Sequence, residues 1–208
     1  MHSDESVAGD RWWRRFDAFL LDTLPARARV LDVGCGDGSL VDRLAAGGLD
    51  AVGVDPGAPA HPRLIRERVE DATAIGRFDA VCAVMALHHA ELDPVLASIA
   101  ALLRPGGSLF AHEFSWEEYD DRAAAWVAGH DQDRDASVAA WRAEHGDLHT
   151  GERLRAALDQ TFDARMLSPR PYLARMLGRH ALENEEQWSI ERGGLPCLAW
   201  WYRGTPKR

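Results

Sequence analysis

A glycine-rich segment near the start of the chain constrains the fold more than any other feature. The segment Val30–Leu40 reads Val-Leu-Asp-Val-Gly-Cys-Gly-Asp-Gly-Ser-Leu, with a strand-like apolar run before the glycines and a helix-like run after them. Glycines let the backbone turn sharply and let a ligand approach closely. Between a strand and a helix of a parallel sheet, such a loop lies at the carboxyl end of the strand and forms a ligand site. The segment therefore predicts an α/β fold with a ligand site at residues 34–38.

Carboxylates around this loop indicate which kind of ligand it binds. Asp32 and Asp37 flank the glycines, and Asp55 ends the next predicted strand, where an acid accepts hydrogen bonds from both ribose hydroxyls. The glycines fall at 34, 36 and 38, and Ser39 stands where a dinucleotide-binding loop has its third small residue. Because carboxylates repel a pyrophosphate, we expect a ligand with a ribose, a cationic amino group and no phosphate. S-adenosylmethionine has these properties.

Strand-like and helix-like runs alternate along the rest of the chain. We predict helices at 10–24, 39–46, 94–103 and 151–160, two more within 116–145, and a partly helical stretch at 172–193. We predict strands at 29–33, 51–54, 64–69, 78–84, 108–112, 162–167 and 197–202. The connection at 71–77 is too short for a crossover helix. This alternation predicts right-handed βαβ units and a parallel sheet.

Four segments together resemble class I methyltransferases. Residues 30–38, 52–56, 78–89 and 103–107 follow one another in the order and with roughly the spacing of that family, and the resemblance covers about residues 28–114. It implies an α/β, Rossmann-like, doubly wound and mostly parallel seven-stranded sheet, with an antiparallel last strand and extra helices over the cleft. It also implies a single domain over residues 1–208. Residues 10–115 would form its cofactor-binding core, and residues 116–195 mainly the substrate-side helices and closing strands.

The same resemblance implies a cofactor and the residues that bind it. The cofactor would be S-adenosyl-L-methionine and its product S-adenosyl-L-homocysteine. Asp32 would anchor the methionine ammonium, and Asp55 would hold the ribose hydroxyls. The other implied cofactor-binding residues are Gly34, Cys35 and Gly36 under the methionine part, Pro56 beside Asp55, Glu70, Asp71 and Ala72 at the adenine, and Val84 and Met85 along the methionine side. Whether Glu70 or Asp71 accepts from the adenine amino group stays open.

Three side chains are candidates for a catalytic role. His88 and His89 follow the fourth strand, and Glu113 ends the fifth strand beside His112. A histidine takes up a proton near neutral pH, so either one is a candidate general base. Adjacent residues of an extended chain point in opposite directions, so we expect at most one of these histidines to face the ligand, and we expect no metal. By the same alternation, one of His112 and Glu113 faces the cleft.

Tryptophans and tyrosines form a second pattern, mainly in the carboxyl-terminal half. Trp12, Trp13, Trp116, Tyr119 and Trp126 flank the expected cleft. They either form an aromatic wall for a planar substrate or pack helices onto the sheet, and we favour packing.

Composition narrows the function further. The formal net charge is −9 at pH 7 and no basic tract is present, which argues against a nucleic-acid substrate. No long apolar run and no signal-peptide pattern occur, so we expect a cytoplasmic protein without a membrane partner, as a monomer or homodimer. The favoured function is methyl transfer to an oxygen or nitrogen of a small molecule, for instance a secondary metabolite. A protein or RNA methyltransferase, a non-methylating, cyclase-like cofactor-binding protein and a nicotinamide oxidoreductase stay open as alternatives.

Overall fold

The computed structural model describes residues 15–207 and contains one seven-stranded sheet in the order β3-β2-β1-β4-β5-β7-β6. The strands are β1 (Arg29–Val33), β2 (Asp50–Val54), β3 (Leu64–Ile65), β4 (Phe78–Val84), β5 (Leu103–Phe114), β6 (Phe162–Arg170) and β7 (Ala199–Pro206). The helices are α1 (described over 15–23), α2 (Ser39–Ala46), α3 (Leu92–Leu102), α4 (Asp121–His130), α5 (Val138–His145), α6 (Gly151–Thr161), α7 (Leu173–Met176) and α8 (Glu183–Glu191).

The pairing of the strands agrees with the predicted fold class. β1 pairs in parallel with β2 on one side and with β4 on the other. β7 runs antiparallel to both β5 and β6, between which it lies. The strand order therefore reverses between β1 and β4, which is the topological switch point where α/β sheets bind their ligands. The prediction of a mostly parallel, seven-stranded sheet with an antiparallel last strand is confirmed.

Helices cover both faces of the sheet, and this explains why its central strand is apolar from Ala80 to Val84. Val81, Cys82 and Ala83 of β4 are fully buried, as expected for a strand with helices on either side. On one face, α1 and α2 pack through a cluster that includes Phe16 and Leu44. On the other face, α3 and α6 pack through a separate cluster.

A third apolar cluster forms a cover beyond the carboxyl ends of the strands. Its buried members come from the end of β5 and the turn after it, from α4, α5 and α7, and from the start of β7 and the segment before it. They are Phe114, Tyr119, Ala123, Val127, Trp141, Leu173, Leu195, Leu198 and Ala199. Trp116 and Trp126 pack against this cluster, so the packing interpretation of these aromatic residues agrees with the structure. Trp12 and Trp13 lie outside the described residues, as does the part of the predicted core before residue 15.

Several predicted boundaries were wrong. β3 has only two residues instead of 64–69, and a single helical turn (Thr73–Ile75) fills part of the short connection that follows. α3 begins at Leu92, and Leu103 belongs to β5, which is longer than predicted because the chain passes directly from helix to strand. Leu103 of β5 pairs with Phe78 and Ser108 pairs with Ala80, and the β5 residues between them form a bulge. β7 begins at Ala199 rather than at residue 197.

None of the helices in the described part combines the length and apolar character needed to cross a membrane.

Candidate active site

The glycine loop (residues 34–38) lies at the carboxyl end of β1, at the switch point of the sheet. Gly34, Gly36 and Gly38 have φ angles of +72°, +53° and +85°, which glycine adopts without steric cost. The loop is fixed to the neighbouring strand because Gly34 N donates to the Val54 carbonyl at 2.9 Å. Asp37 accepts from both the amide and the hydroxyl of Ser39, where α2 begins. The loop therefore presents bare backbone to the space above the sheet.

Two carboxylates lie beside this loop. Asp55 accepts from Gly36 N at 3.2 Å and from Gly57 N at 2.6 Å, which ties the end of β2 to the loop. Asp32 is buried, and burial raises its pKa to about 8. The charge of Arg43 opposes this rise, although Arg43 is also ion-paired to Asp17 at 2.6 Å. Asp32 therefore holds its proton more strongly than an ordinary aspartic acid, and a nearby cation would favour its ionisation.

Two cavities open on either side of Gly34, which lines both. The central cavity has a volume of about 410 Å³ and the loop cavity a volume of about 260 Å³. The central cavity is lined by Val33, Gly34, Val54, Asp55, Pro56, Glu67, Arg68, Val69, Glu70, Met85, Ala86, Leu87, His89, Ala90, Glu91 and Val95. The loop cavity is lined by Asp32, Gly34, Cys35, Gly36, Asp37, Ser39, Leu40, Arg43 and Val84.

The structure brings most of the predicted cofactor-binding residues together in these cavities. Asp32, Cys35, Gly36 and Val84 line the loop cavity, Gly34 lines both cavities, and Asp55, Pro56, Glu70 and Met85 line the central cavity. Two predicted residues line neither of them. Ala72 is buried in the core below, and Asp71 is exposed. Glu70 faces the central cavity and pairs with Arg68 at 3.0 Å.

Sequence reasoning missed other residues of the two cavities. Arg43 and Leu40 reach the loop cavity from the first turns of α2, where their spacing of three puts them on one helix face. That helical spacing was available in the sequence. Glu67 and Arg68 were missed because the predicted third strand was too long, and their charges appeared to be part of it.

A second loop, the post-strand loop (residues 85–89), follows β4 and faces the glycine loop. Met85 begins it with a φ of +52°, which a non-glycine residue rarely adopts. Its amide donates to the His112 carbonyl at 2.8 Å. A Cβ added at Gly34 would lie 2.5 Å from the Cβ of Ala86, so the two loops approach as closely as glycine permits. The position of the post-strand loop therefore affects the glycine loop directly.

The three candidate catalytic residues lie together, with His88 in contact with both Glu113 and His89. Glu113 is fully buried; its Oε1 accepts from the amides of Ala86 and Leu87 at 2.8 and 2.6 Å, and its Oε2 lies 2.6 Å from Nδ1 of His88. Glu113 lines none of the cavities described above, whereas His89 lines the central cavity. Burial lowers the pKa of His89 and His88 lowers it further, while Glu113 opposes both effects.

The two histidine side chains were predicted to point in opposite directions, and the structure shows that they do not. Residues Leu87–His89 form a helical turn instead of extended chain, and the two imidazole rings lie 4.2 Å apart. Both rings line a further cavity of about 610 Å³, the side cavity, between the start of α3 and the segment before α6. The alternation of His112 and Glu113 holds, but both side chains are buried, and His112 packs against the Phe16 ring on the α1 face.

Within the described part of the chain, no group of three or more histidine, cysteine, aspartate or glutamate side chains is arranged to hold a metal ion.

Burial raises the pKa of the Cys35 thiol in the glycine loop to about 12, so it is a neutral, space-filling side chain at physiological pH.

Comparisons with known proteins identify the family of this chain. A family model described as "Methyltransferase domain" matches residues 8–167. A ubiquinone biosynthesis O-methyltransferase of Xanthomonas axonopodis pv. citri is 38% identical over 104 residues, which cover 41% of this chain and 43% of that protein. The chain spans about half the length of the curated relatives it matches.

Solved structures share the fold at low sequence identity. The N-methyltransferase NodS of Bradyrhizobium japonicum, in complex with S-adenosyl-L-homocysteine, has a TM-score of 0.58 at 12% identity, with 96% of this chain and 88% of that chain covered. The magnesium protoporphyrin IX methyltransferase of Synechocystis PCC 6803, with S-adenosyl-L-homocysteine bound, has a TM-score of 0.56 at 16% identity, with 99% and 85% covered.

Proposed function

This chain belongs to the methyltransferase family, and on that premise we propose that it transfers the methyl group of S-adenosylmethionine to an oxygen or nitrogen atom of a small molecule. The observation that carries the proposal is the pair of cavities that meet at Gly34, with a buried acid in one and a strand-end acid in the other. This arrangement suits a ligand with a cationic amino-acid end and a ribose. It does not suit a pyrophosphate, which the carboxylates would repel.

The loop cavity supports binding of the amino-acid end. Burial raises the pKa of Asp32, the charges of Asp55 and Asp17 raise it further, and an ammonium group beside Asp32 would favour its ionised form. Gly36 faces open space, since a Cβ added there meets nothing within 4 Å. Arg43 lines the same cavity and is a cation suited to a carboxylate. These residues fit the methionine part of the cofactor.

The central cavity supports binding of the nucleoside end. Asp55 lines it at the end of β2, where a carboxylate accepts from two ribose hydroxyls. Leu87 and Val95 offer apolar surface to a planar base, and Glu70 offers an acceptor for an exocyclic amino group. When bound, the cofactor supplies the activated methyl group, and the protein's part is to orient the acceptor, exclude water and move a proton.

A small-molecule acceptor is supported by charge and by the relatives. The net charge of −9 disfavours nucleic acid. One relative is named as an O-methyltransferase and one structural neighbour as an N-methyltransferase, so both acceptor atoms stay within the proposal. His88, His89 and Glu113 are the candidate groups for proton movement.

Calorimetry with the full chain tests the cofactor first. We expect S-adenosylmethionine and S-adenosylhomocysteine to bind and NAD not to bind. Binding should strengthen as the pH rises from 6 to 8, because the ligand cation favours ionised Asp32, and an Asp32→Asn variant should lose this dependence. Binding of NAD in preference to S-adenosylmethionine would overturn the proposal.

Turnover with methyl-labelled cofactor and a metabolite panel tests the reaction. Label in a small molecule, with equimolar S-adenosylhomocysteine formed, is the expected result. Label only in protein or RNA would contradict the proposed acceptor class, and product formed with the cofactor intact would favour a cyclase-like activity.

A further inference from the structure

One buried carboxylate holds residues 86–88 of the post-strand loop. Glu113 uses both of its oxygens on donors from three consecutive residues, namely the amides of Ala86 and Leu87 and the imidazole of His88. All three distances lie between 2.6 and 2.8 Å. Since Glu113 has no exposed surface, water does not compete for these contacts.

This hydrogen bonding defines the tautomer of His88. A carboxylate that accepts two backbone N–H bonds on one oxygen is stabilised in its ionised form. The short contact between Oε2 and Nδ1 is then a bond donated by Nδ1–H to the carboxylate. In the neutral ring the proton is therefore on Nδ1, and Nε2 is free to accept one, as in other carboxylate–histidine pairs that act as bases.

The side cavity is lined by His88. It adjoins the central cavity, because His89, Ala90 and Glu91 line both. The titratable and charged groups that line it with His88 are His89 from the same turn, Glu91 and Asp93 at the start of α3, Asp147 and His149 before α6, and Arg153 on α6. His149 is itself fixed, because its amide donates to the His88 carbonyl at 3.1 Å and its Nε2 contacts the Ala90 carbonyl at 2.9 Å.

We propose that His88 is the general base for a hydroxyl acceptor that binds in the side cavity, and that Glu113 is the positioning residue that orients it. This inference rests on the proposed function. It names a hydroxyl because a neutral amine attacks without first losing a proton, whereas a hydroxyl oxygen is a weak nucleophile until its proton moves. A base with a fixed tautomer is therefore useful mainly to a hydroxyl.

The step balances as a displacement at carbon. A lone pair of the hydroxyl oxygen forms the new bond to the methyl carbon, and the bond from that carbon to the sulfonium sulfur breaks with its electrons left on sulfur. The hydroxyl proton moves to Nε2 of His88. The positive charge of the sulfonium thus becomes an imidazolium beside the Glu113 carboxylate, which stabilises it.

Nitrogen NMR of the histidine rings tests the tautomer on the full chain with S-adenosylhomocysteine bound. We expect His88 to carry its proton on Nδ1 in the wild type and to lose this preference in Glu113→Gln. Glu186→Gln is the matched control, because Glu186 is also fully buried and also has three N–H contacts, all of which come from backbone amides and none from a histidine. An Nε2–H tautomer in the wild type would overturn the assignment.

Methyl transfer to phenols and alcohols, each paired with the corresponding amine, tests the base and the acceptor class. We expect transfer to the hydroxyl compounds, a kcat at least about 100-fold lower in His88→Asn, and a cofactor affinity within about threefold of the wild type. In Glu113→Gln the acidic limb of the pH–rate profile should move about one unit lower, since a cationic imidazole loses its counter-charge. In Glu186→Gln the acidic limb of the pH–rate profile should not move.

The acceptor cavity has its own test. Asp147→Trp places a large ring in the side cavity from an exposed position, and we expect it to raise the KM for the phenol at least about fivefold without changing cofactor affinity. Asp133→Trp makes the same change at an exposed site that does not line this cavity. Transfer to amines alone, or an acidic limb of the pH–rate profile that does not move in Glu113→Gln, would overturn the inference. If the chain still binds the cofactor, the proposed function would stand. If no compound is methylated, the NMR measurement decides the inference, and an Nε2–H tautomer of His88 in the wild type would overturn it.

Discussion

The glycine loop and the post-strand loop lie at the carboxyl ends of adjacent parallel strands, and they reach positive φ angles by different means. The glycine loop uses residue type, with three glycines at φ between +53° and +85°. The post-strand loop begins with Met85 at φ +52°, a conformation that costs a non-glycine residue about 1 kcal/mol or more. Two of its amides donate hydrogen bonds to the Glu113 carboxylate. A loop can thus be shaped by what its own residues permit or by a buried group from a distant strand.

The acids next to the two loops differ in the same way. Glu113 is satisfied inside the protein by three donors. Asp32 is buried with its pKa raised to about 8, so it gains from a cation that arrives with a ligand. The first acid stabilises a fixed structure, whereas the second is set up for binding.

The largest expected effect concerns Asp32. Its folded pKa lies above the ordinary value of 3.8, so the folded state binds more protons and loses stability as the pH rises from about 4 to 8. We therefore expect Asp32→Asn to raise the free energy of unfolding of the cofactor-free protein, by about 4 kcal/mol at pH 8 and less at pH 5. Urea titrations between pH 5 and 9 measure this.

Asp37→Asn is the control of opposite sign. Hydrogen bonds from Ser39 lower the pKa of Asp37, so its contribution to stability is present above pH 4 and is lost as the pH falls. Its replacement should reduce stability at neutral pH. A gain from Asp32→Asn that does not grow with pH would contradict the description of the Asp32 site.

The next effect tests the glycine loop as a ligand cradle. Gly36→Val adds a side chain where nothing lies within 4 Å, so the protein should fold, but its cofactor affinity should fall at least about 100-fold because the loop cavity is filled. Gly48→Val carries a comparable backbone cost, since Gly48 has φ +92° and also faces open space. Calorimetry should find unchanged affinity in Gly48→Val. Equal loss in both variants would mean that strain, not filling, is responsible.

A smaller effect tests the contact between the loops. Gly34→Ala combines a positive φ with a Cβ 2.5 Å from Ala86, and we expect it to cost about 2–4 kcal/mol of stability. Gly36→Ala, with the strain but no clash, should cost about 1–2 kcal/mol. Adding Ala86→Gly to Gly34→Ala should recover part of the loss in a double-mutant cycle. An additive cycle would show that the two loops are not coupled.

The smallest effect tests the strain at Met85. Replacement by alanine or glycine removes the same packing, but glycine tolerates φ +52°, so Met85→Gly should be more stable than Met85→Ala by about 1 kcal/mol. At Ala86, with φ −125°, glycine should instead reduce stability by about the same amount. Chemical denaturation of the three variants checks the reversal, and its absence would mean that Met85 is not strained.

The sequence predicted the fold class and the loop after β1 because these depend on local patterns. Apolar strands, their order and the spacing of the glycines are all visible without coordinates. The predicted end of the third strand was wrong because charged residues after Ile65 cannot be told from an edge strand by propensity. Methyltransferase family membership, expected from four ordered segments, is confirmed by the match over residues 8–167.

Contacts between distant elements were not available in this way. The sequence named His88, His89 and Glu113, but treated the histidines as extended chain, and only their helical turn brings both rings to one cavity. Arg43 was missed although its spacing from Leu40 was visible, because helical spacing alone does not show which face of a helix lines a cavity.

The sequence by itself determined where the backbone is free to turn and where acids follow strands, because conformational freedom and side-chain charge are properties of single residues. Only the tertiary structure decided the surroundings of each acid. Glu113 receives three donors from residues 86–88, which lie on an element far from it along the chain, and Asp32 is buried near the charge of Arg43, so that its pKa is raised by burial.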